Sequence, residues 1–295
     1  AVNHVQQAKN VSERRACDVL GQPRSTHRYE PKENDKTNDL VSRIHELVRS
    51  HPRFGYRRIT RLLRGEGWLV NAKRIYRLWR KEGLKVPRKQ HKRRRLGTSE
   101  GGCIRRRAEF KNHVWSMDFI HDSLRRGSAF KTLVVIDEFT RECLALDVAR
   151  SITSDRVLDV LVELFVDRGV PVHIRCDNGP EFVAKTLRQH LENTDVETLY
   201  IEPGSPWENG YVESFNSRFR DELLNVEEFE NMKEARWHIE RWQRAYNTER
   251  PHSSIGYQTP VEFAARCAAS ATAAPPLQQH NETQSLLTTT QVLLS

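Results

Sequence analysis

The stretch HVWSMDF, residues 113–119, decides the architecture. Successive side chains of a strand point to opposite faces, so Trp115, Met117 and Phe119 fall on one side and Ser116 and Asp118 on the other. A carboxylate is thereby presented from a strand whose opposite face is packed. Downstream, Lys131 to Asp137 and Glu142 to Val148 read as two further strands joined by the polar turn Asp137 to Arg141, which predicts an antiparallel meander. Ser154 can cap a helix with an apolar stripe of Val157, Leu158, Val160, Leu161, Leu164 and Phe165. Gly169 closes that helix, and Val170-Pro171 starts a strand in which Val172, Ile174 and Cys176 alternate into Asp177. A helix from Pro180 to Leu191, a strand from Val196 to Ile201, a turn-rich stretch over Glu202 to Pro206 and a helix containing Glu213 follow. Three strands and then alternating helices and strands predict an α/β domain with a mixed sheet.

Upstream the pattern is helical. Leu40, Ile44, Leu47 and Val48 recur at helical spacing between Thr37 and Ser50, before His51-Pro52 stops the helix. Ile59, Leu62 and Leu63 mark a second helix ending at Gly65-Glu66-Gly67. Asn71 is the predicted N-cap of a third, which runs to Gly83. Three short helices this tightly joined suit a helix-turn-helix unit. The third buries Ile75, Leu78 and Trp79 and exposes Lys73, Arg74, Arg77, Arg80 and Lys81, with only Glu82 as counter-charge, as expected of a helix lying along phosphates. Val11 to Leu20 predicts one more short helix.

Charge is divided along the chain. The net +9 is the balance of +19 over residues 1–113 and −10 over residues 114–295. One half suits a polyanion, and the other concentrates carboxylates. Lys85 to Arg95 and Arg105-Arg106-Arg107 repel themselves and read as a basic linker that lies on nucleic acid, Arg93, Arg94 and Arg95 foremost, with strong salt dependence. The chain has 11 Phe, 7 Tyr and 6 Trp, too many for a disordered chain. Its longest aliphatic run, Leu133 to Ile136, is far too short to cross a bilayer, so no membrane role is expected. The five cysteines never form a C-x-x-C pair, so a disulfide framework and a thiolate zinc site are not expected and a reducing cytoplasm is.

Three acids stand out by position: Asp118 on the first strand, Asp177 at the end of the fourth, Glu213 on the helix after the last. Each has an ordinary alternative: a solvated strand-face acid, a local Asp-Asn-Gly turn, one of many helix-surface acids. Together they carry more meaning, because carboxylates gathered at strand ends repel unless a divalent ion lies between them. Oxygen-only ligation by few carboxylates is what Mg²⁺ prefers, and two such ions clamp both oxygens of an in-line phosphoryl displacement.

HVWSMDF, RCDNGPEF and WENGYVESFNSRFRDELL resemble the three catalytic-core motifs of the retroviral-integrase-like DDE transposases, with 35 residues between Asp177 and Glu213. Within that group SERRACDVLGQPRST, HPRFGYRRI and RPHSSIGYQTPVEF are similar to segments of second-frame transposases of the bacterial insertion-sequence-three family. The resemblance covers roughly residues 11–265. It implies a ribonuclease-H-like core with Asp118, Asp177 and Glu213 as metal-binding triad, two Mg²⁺ per site (Mn²⁺ substituting), and Arg220 at the position that contacts the element's DNA end. It implies cleavage at the element's terminal inverted repeats and joining of the freed 3′-hydroxyl to target DNA, by a homo-multimer on DNA in the bacterial cytoplasm, with the product of an upstream frame as a further partner. The zinc module of retroviral integrases is not matched: the 12 His and five Cys never fall at ligand spacing. Two other readings compete: a DNA-binding protein that keeps the fold without strand transfer, and a ribonuclease-H-like nuclease that hydrolyses without joining.

Asn231 to Tyr246 predicts a further helix with Met232, Ala235, Ile239 and Trp242 at core spacing, and core packing is expected of Trp237 as well as Trp242. Arg250-Pro251-His252 predicts a structured loop with a packing or phosphate-contacting role. The expected organisation is an N-terminal segment (1–35), a helix-turn-helix region with Arg57 and Arg58 among its DNA contacts (36–84), the basic linker (85–110), the core (111–225), a helical extension (226–266) and a disordered tail (267–295).

Overall fold

The computed structural model describes residues 1–29, 35–86, 106–201 and 209–273, with side chains up to residue 267. Arg93, Arg94 and Arg95, the turn-rich stretch after Ile201 and residues 274–295 of the expected disordered tail lie outside the described residues; residues 267–273, expected to begin that tail, are instead the last turns of a helix. The chain forms two compact units: Ala1–Ile59 with Asn71–Val86, and Thr60–Val70 with Pro87–Ser295. No helix among the described residues is long and apolar enough to cross a membrane.

The first unit is helical: α1 (Val2–Lys9), α2 (Glu13–Val19), α3 (Arg24–His27), α4 (Asp35–Ser50), the start of α5 (Tyr56–Gly65) and α6 (Ala72–Lys81). Where one short helix was expected before residue 30 there are three; Val2, Ala16 and Cys17 form a small core of their own. Leu40, Ile44 and Leu47 are buried from α4, Ile59 from α5 and Ile75 and Trp79 from α6, while Leu78 is only half-buried. The predicted cap is present: Asn71 Oδ1 accepts the Arg74 N–H at 2.7 Å. Gly83 follows the helix at φ +67°, a conformation that favours glycine.

The second unit is built on a five-stranded sheet ordered β3-β2-β1-β4-β5, from β1 (Val114–Ser123), β2 (Ala129–Asp137), β3 (Cys143–Ala149), β4 (His173–Cys176) and β5 (Glu197–Tyr200). β1, β2 and β3 are the predicted antiparallel meander. β4 pairs parallel with β1, and β5 parallel with β4. Helices α7 (Ser154–Arg168) and α8 (Lys185–Asn193) cover one face; α9 (Gly210–Phe219) and α10 (Met232–Thr248) cover the other. This is the ribonuclease-H-like arrangement. A π-helical turn (Arg220–Leu224) follows α9, and α11 (Pro260–Ala273) follows α10.

Several expectations are corrected. Both faces of β1 are packed: Trp115 and Met117 enter the core under α7 and α8, Ile120 the core under α9 and α10, and Ser116 is fully buried. The cap of α7 is Thr153, one residue before Ser154, its backbone extended and its hydroxyl facing the Arg156 N–H. β4 starts at His173, not at Val170. The helix expected from Pro180 starts at Lys185, because the Gly179 carbonyl takes the N–H groups of Phe182 and Val183 in a separate turn and Ala184 is extended. Trp242 packs beside Phe215, Phe219 and Tyr246, but Trp237 is 52 % exposed, with the Arg241 guanidinium over its ring.

α10 lies along the outer edge of β3. Gln243 Nε2 donates to the Cys143 and Leu144 carbonyls at 3.1 and 3.2 Å. Asn247 pairs with the Cys143 N–H and carbonyl at 2.9 Å each, and Arg236 Nε donates to the Val148 carbonyl at 3.0 Å. Side chains therefore take up the hydrogen bonds that a sixth strand would have made.

Candidate active site

Parallel pairing of β1 with β4 ends at Ser116 and Arg175, which are in register. Asp118 and Asp177 each lie two residues further on, so the two strands carry their acids to the same level just where the ladder opens. α9 approaches from the other side. Asn209, at its start, reaches the Met117 carbonyl with Nδ2 at 3.4 Å, and Asn216 Nδ2 donates to Asp118 Oδ2 at 2.7 Å. Glu213 stands one turn before Asn216.

Asp118 is half-buried, Asp177 and Glu213 exposed. Loss of water, then the negative charges of Asp177 and Glu213, push the Asp118 carboxyl up to about 6, against the lowering effect of the Phe119 and Asn216 N–H donors. Asp118 therefore lies within the electrostatic reach of both other acids. The three do not close on a point: among the described residues no three His, Cys, Asp or Glu side chains are grouped to hold a metal ion. The donor set nonetheless suits a hard divalent cation. It is all oxygen, its like charges are uncompensated at Asp118, and Asn216 Oδ1 and Asn209 Oδ1 beside it are buried without a hydrogen-bond partner.

The raised Asp118 value has a stability consequence with a definite sign. The folded state holds this proton more tightly than the unfolded chain, so ionisation penalises folding increasingly as pH rises from about 4 through about 6, and fully above that. Asp118→Asn is expected to stabilise the protein by up to about 3 kcal/mol at pH 7 and to have little effect at pH 4. Urea unfolding at both pH values checks this; a variant less stable than wild type at pH 7 refutes it.

The loop after β4 is held tightly. Asp177 Oδ1 accepts the Gly179 N–H at 3.0 Å, and Asn178 Nδ2 donates to the Ile201 carbonyl at 2.9 Å. Glu181, a fourth acid, is ion-paired with Lys131, whose ammonium lies 3.7 Å above the Phe119 ring. That pairing holds the Glu181 carboxyl below the usual range. A Cβ on Gly179 would stand 3.0 Å from Asp177 Oδ1. Gly179→Ala should therefore turn the carboxylate and cost roughly tenfold to a hundredfold in turnover, with melting temperature little changed. Wild-type turnover in this variant would show that the turn does not position Asp177.

Arg220 is exposed, and its Nη2 donates to the His121 carbonyl at 3.0 Å, three residues beyond Asp118 on β1. It opens the π-helical turn, so the helix spacing that relates it to Glu213 is broken at its own position. In the helical unit Lys73, Arg74, Arg77, Arg80 and Lys81 are exposed along α6. Glu82 is turned toward His45 at 3.3 Å, and among the described residues no ion pair compensates that basic face. Arg57 is exposed, whereas Arg58 is half-buried with its guanidinium 5.1 Å from the Phe54 ring. Asn209, Asn216, Lys131 and Glu181 escaped the sequence reading. Asn216 could have been found, since it lies on the face of Glu213 at i+3; Lys131 and Glu181 are 50 positions apart and carry no local signal.

Comparison with known proteins places the chain among integrase-core proteins. Residues 108–206 and 194–260 match two models described as integrase core domain, and residues 33–93 match an HTH-like domain. The chain is 40% identical over 265 residues to the insertion element IS476 uncharacterized 39.2 kDa protein of Xanthomonas euvesicatoria, covering 90% of this chain and 76% of that protein. It is 39% identical over 279 residues to the insertion element IS407 uncharacterized 31.7 kDa protein of Burkholderia multivorans, covering 93% and 98%. The transposase for insertion sequence element IS904 of Lactococcus lactis is 26% identical over 250 residues, covering 80% and 98%.

Proposed function

Since the chain belongs to the integrase-core family of insertion-element transposases, and is thus a polynucleotidyl transferase, we propose that it cuts DNA at its element's ends and joins them to a target through Asp118, Asp177 and Glu213. The observation that carries this reading is the placement of Asp118 and Asp177 at one level where β1 and β4 part, with Glu213 on the helix that covers them. Asp118, Asp177 and Glu213, with the unpartnered Asn216 Oδ1 in support, would hold divalent metal, two Mg²⁺ with Mn²⁺ as substitute. When bound, such ions stabilise charge on the attacking and leaving oxygens of an in-line phosphodiester displacement.

The protein's own groups have separate tasks. Asn216 orients the Asp118 carboxylate, and the Asp177–Gly179 turn fixes the second carboxylate. Arg220, tied to β1 at His121, places a cation beside a DNA end, and the basic face of α6 engages the terminal repeats. A freed 3′-hydroxyl displaces a phosphodiester oxygen of the target strand, so one P–O bond forms as another breaks and no protein nucleophile is needed. The protein acts as a multimer on DNA, so that both element ends are held together.

A strand-transfer assay with element-end DNA and Mg²⁺ separates this from the alternatives. Joined product supports transposition, cleavage alone a nuclease, and binding alone an inactive relic. A second readout does not depend on turnover: Mg²⁺ at pH 7 should raise the melting temperature of the wild type and not that of Asp118→Asn.

A further inference from the structure

Tyr211, Ser214 and Arg218 of α9, and Glu222 in the π-helical turn, follow one another along the helix and form a stripe next to the face that carries Glu213 and Asn216. Two arginines come to this stripe from elsewhere. Arg141, in the β2–β3 turn, sets its guanidinium carbon 3.8 Å from the centre of the Tyr211 ring. Its Nε and Nη1 are buried and without a hydrogen-bond partner, and its backbone stands at φ +67°, uncommon for a residue with a side chain. Arg250, after α10, makes a double contact with Glu222 at 2.8 and 2.5 Å.

Arg218 is half-buried, and its Nη1 bonds only within its own helix, to the Ser214 carbonyl at 2.8 Å and the Ser214 hydroxyl. Burial, and the nearby charges of Arg250 and Arg141, hold its guanidinium below the usual value. Arg218 thus lies within the electrostatic reach of Arg250, Arg141 and Glu222, and Arg250 occupies both oxygens of that acid. Among the described residues no ion pair compensates Arg141 or Arg218. Cations removed from water without a partner are costly, and a guanidinium fork matches the oxygens of a phosphate. Both side chains are half-buried, so each keeps surface within reach of a ligand.

We propose that Arg141 and Arg218, with Tyr211 over Arg141, bind a backbone phosphate of the DNA strand that passes the active site. The inference rests on reading the core as acting on DNA, and it assigns to α9 two tasks on adjacent faces: the catalytic acid on one, a grip on the same strand on the other. Arg250 and Glu222 form the inner wall of this site, with charges already matched.

The test is the salt dependence of binding of a fluorescent DNA duplex to the full chain, read without divalent metal. Arg141→Gln and Arg218→Gln should each reduce the slope of log affinity against log salt by about 0.9. Raising salt from about 0.05 to about 0.2 M should then weaken each variant about three- to four-fold less than wild type. Arg141→Lys should keep the wild-type slope, and melting temperatures should hold or rise. If Arg141→Gln does not fold, Arg218→Gln carries the same test. Unchanged slopes in folded variants overturn the proposal, and a lowered melting temperature with unchanged slope does so by assigning the pair to packing. The two readings fail separately. A wild type that binds DNA but never cuts overturns the catalytic reading and leaves the phosphate site; one that cuts and joins, with equal slopes in variants and wild type, overturns the phosphate site alone.

Discussion

Asp177→Asn is expected to lower cleavage and joining by about a thousandfold or more, while leaving DNA affinity within about threefold of wild type. The amide keeps the volume of the side chain and an oxygen to accept the Gly179 N–H, now made at 3.0 Å, so the loop geometry survives. What disappears is the negative charge beside Asp118, which would bind a divalent cation and which also raises the Asp118 carboxyl. DNA affinity should be unchanged or slightly higher, because a phosphate approaching the site meets one carboxylate fewer. Gel-resolved strand transfer and fluorescence anisotropy on the same preparation give both numbers. Joined product at wild-type rate would remove Asp177 from the active site.

Glu222→Gln should cost about 3–5 kcal/mol, lowering the melting temperature by about 10 °C. The side chains of Arg250 and Glu222 are only 4% and 11% exposed, and breaking a buried pair strands the remaining charge. Arg250 also lies beside the Tyr246 ring and within 3.4 Å of His252 Nε2, so the stranded cation would sit against an aromatic core. Replacing both partners with apolar residues, as in Glu222→Leu with Arg250→Met, should recover most of the loss. A single variant melting within about 2 °C of wild type would mean that the contact contributes nothing.

Much of this was readable from residue order, and the failures have causes. Alternation of Trp115, Met117 and Phe119 located β1, but not that its second face is also packed: that depends on Glu138 and Arg175, which meet at 3.0 Å and bury Ser116 with them. Asp118 and Asp177 could be named from strand ends, yet their common level follows from the Ser116–Arg175 register, which no local pattern encodes. Trp237 was misjudged by residue type, although its position was informative: Ala235, Ile239 and Trp242 keep the inward spacing of α10 and Trp237 falls between them. The packing role expected of Arg250-Pro251-His252 is present, since Arg250 and His252 are buried, but Glu222, which makes it work, is 28 positions away.

The amide and guanidinium groups that line β3 set a limit on how the catalytic core can be handled as a unit. A fragment ending after the π-helical turn would keep the three acids and lose α10, leaving the Cys143, Leu144 and Val148 carbonyls open along an outer strand. Such an edge recruits the edge of another molecule. Minimal versions of this enzyme, whether made by truncation, by recoding or by premature termination in a cell, should therefore be lost to self-association before their chemistry can be measured. The shortest useful version runs past α10 to include Arg250 and His252, so that the buried Glu222 keeps its partner.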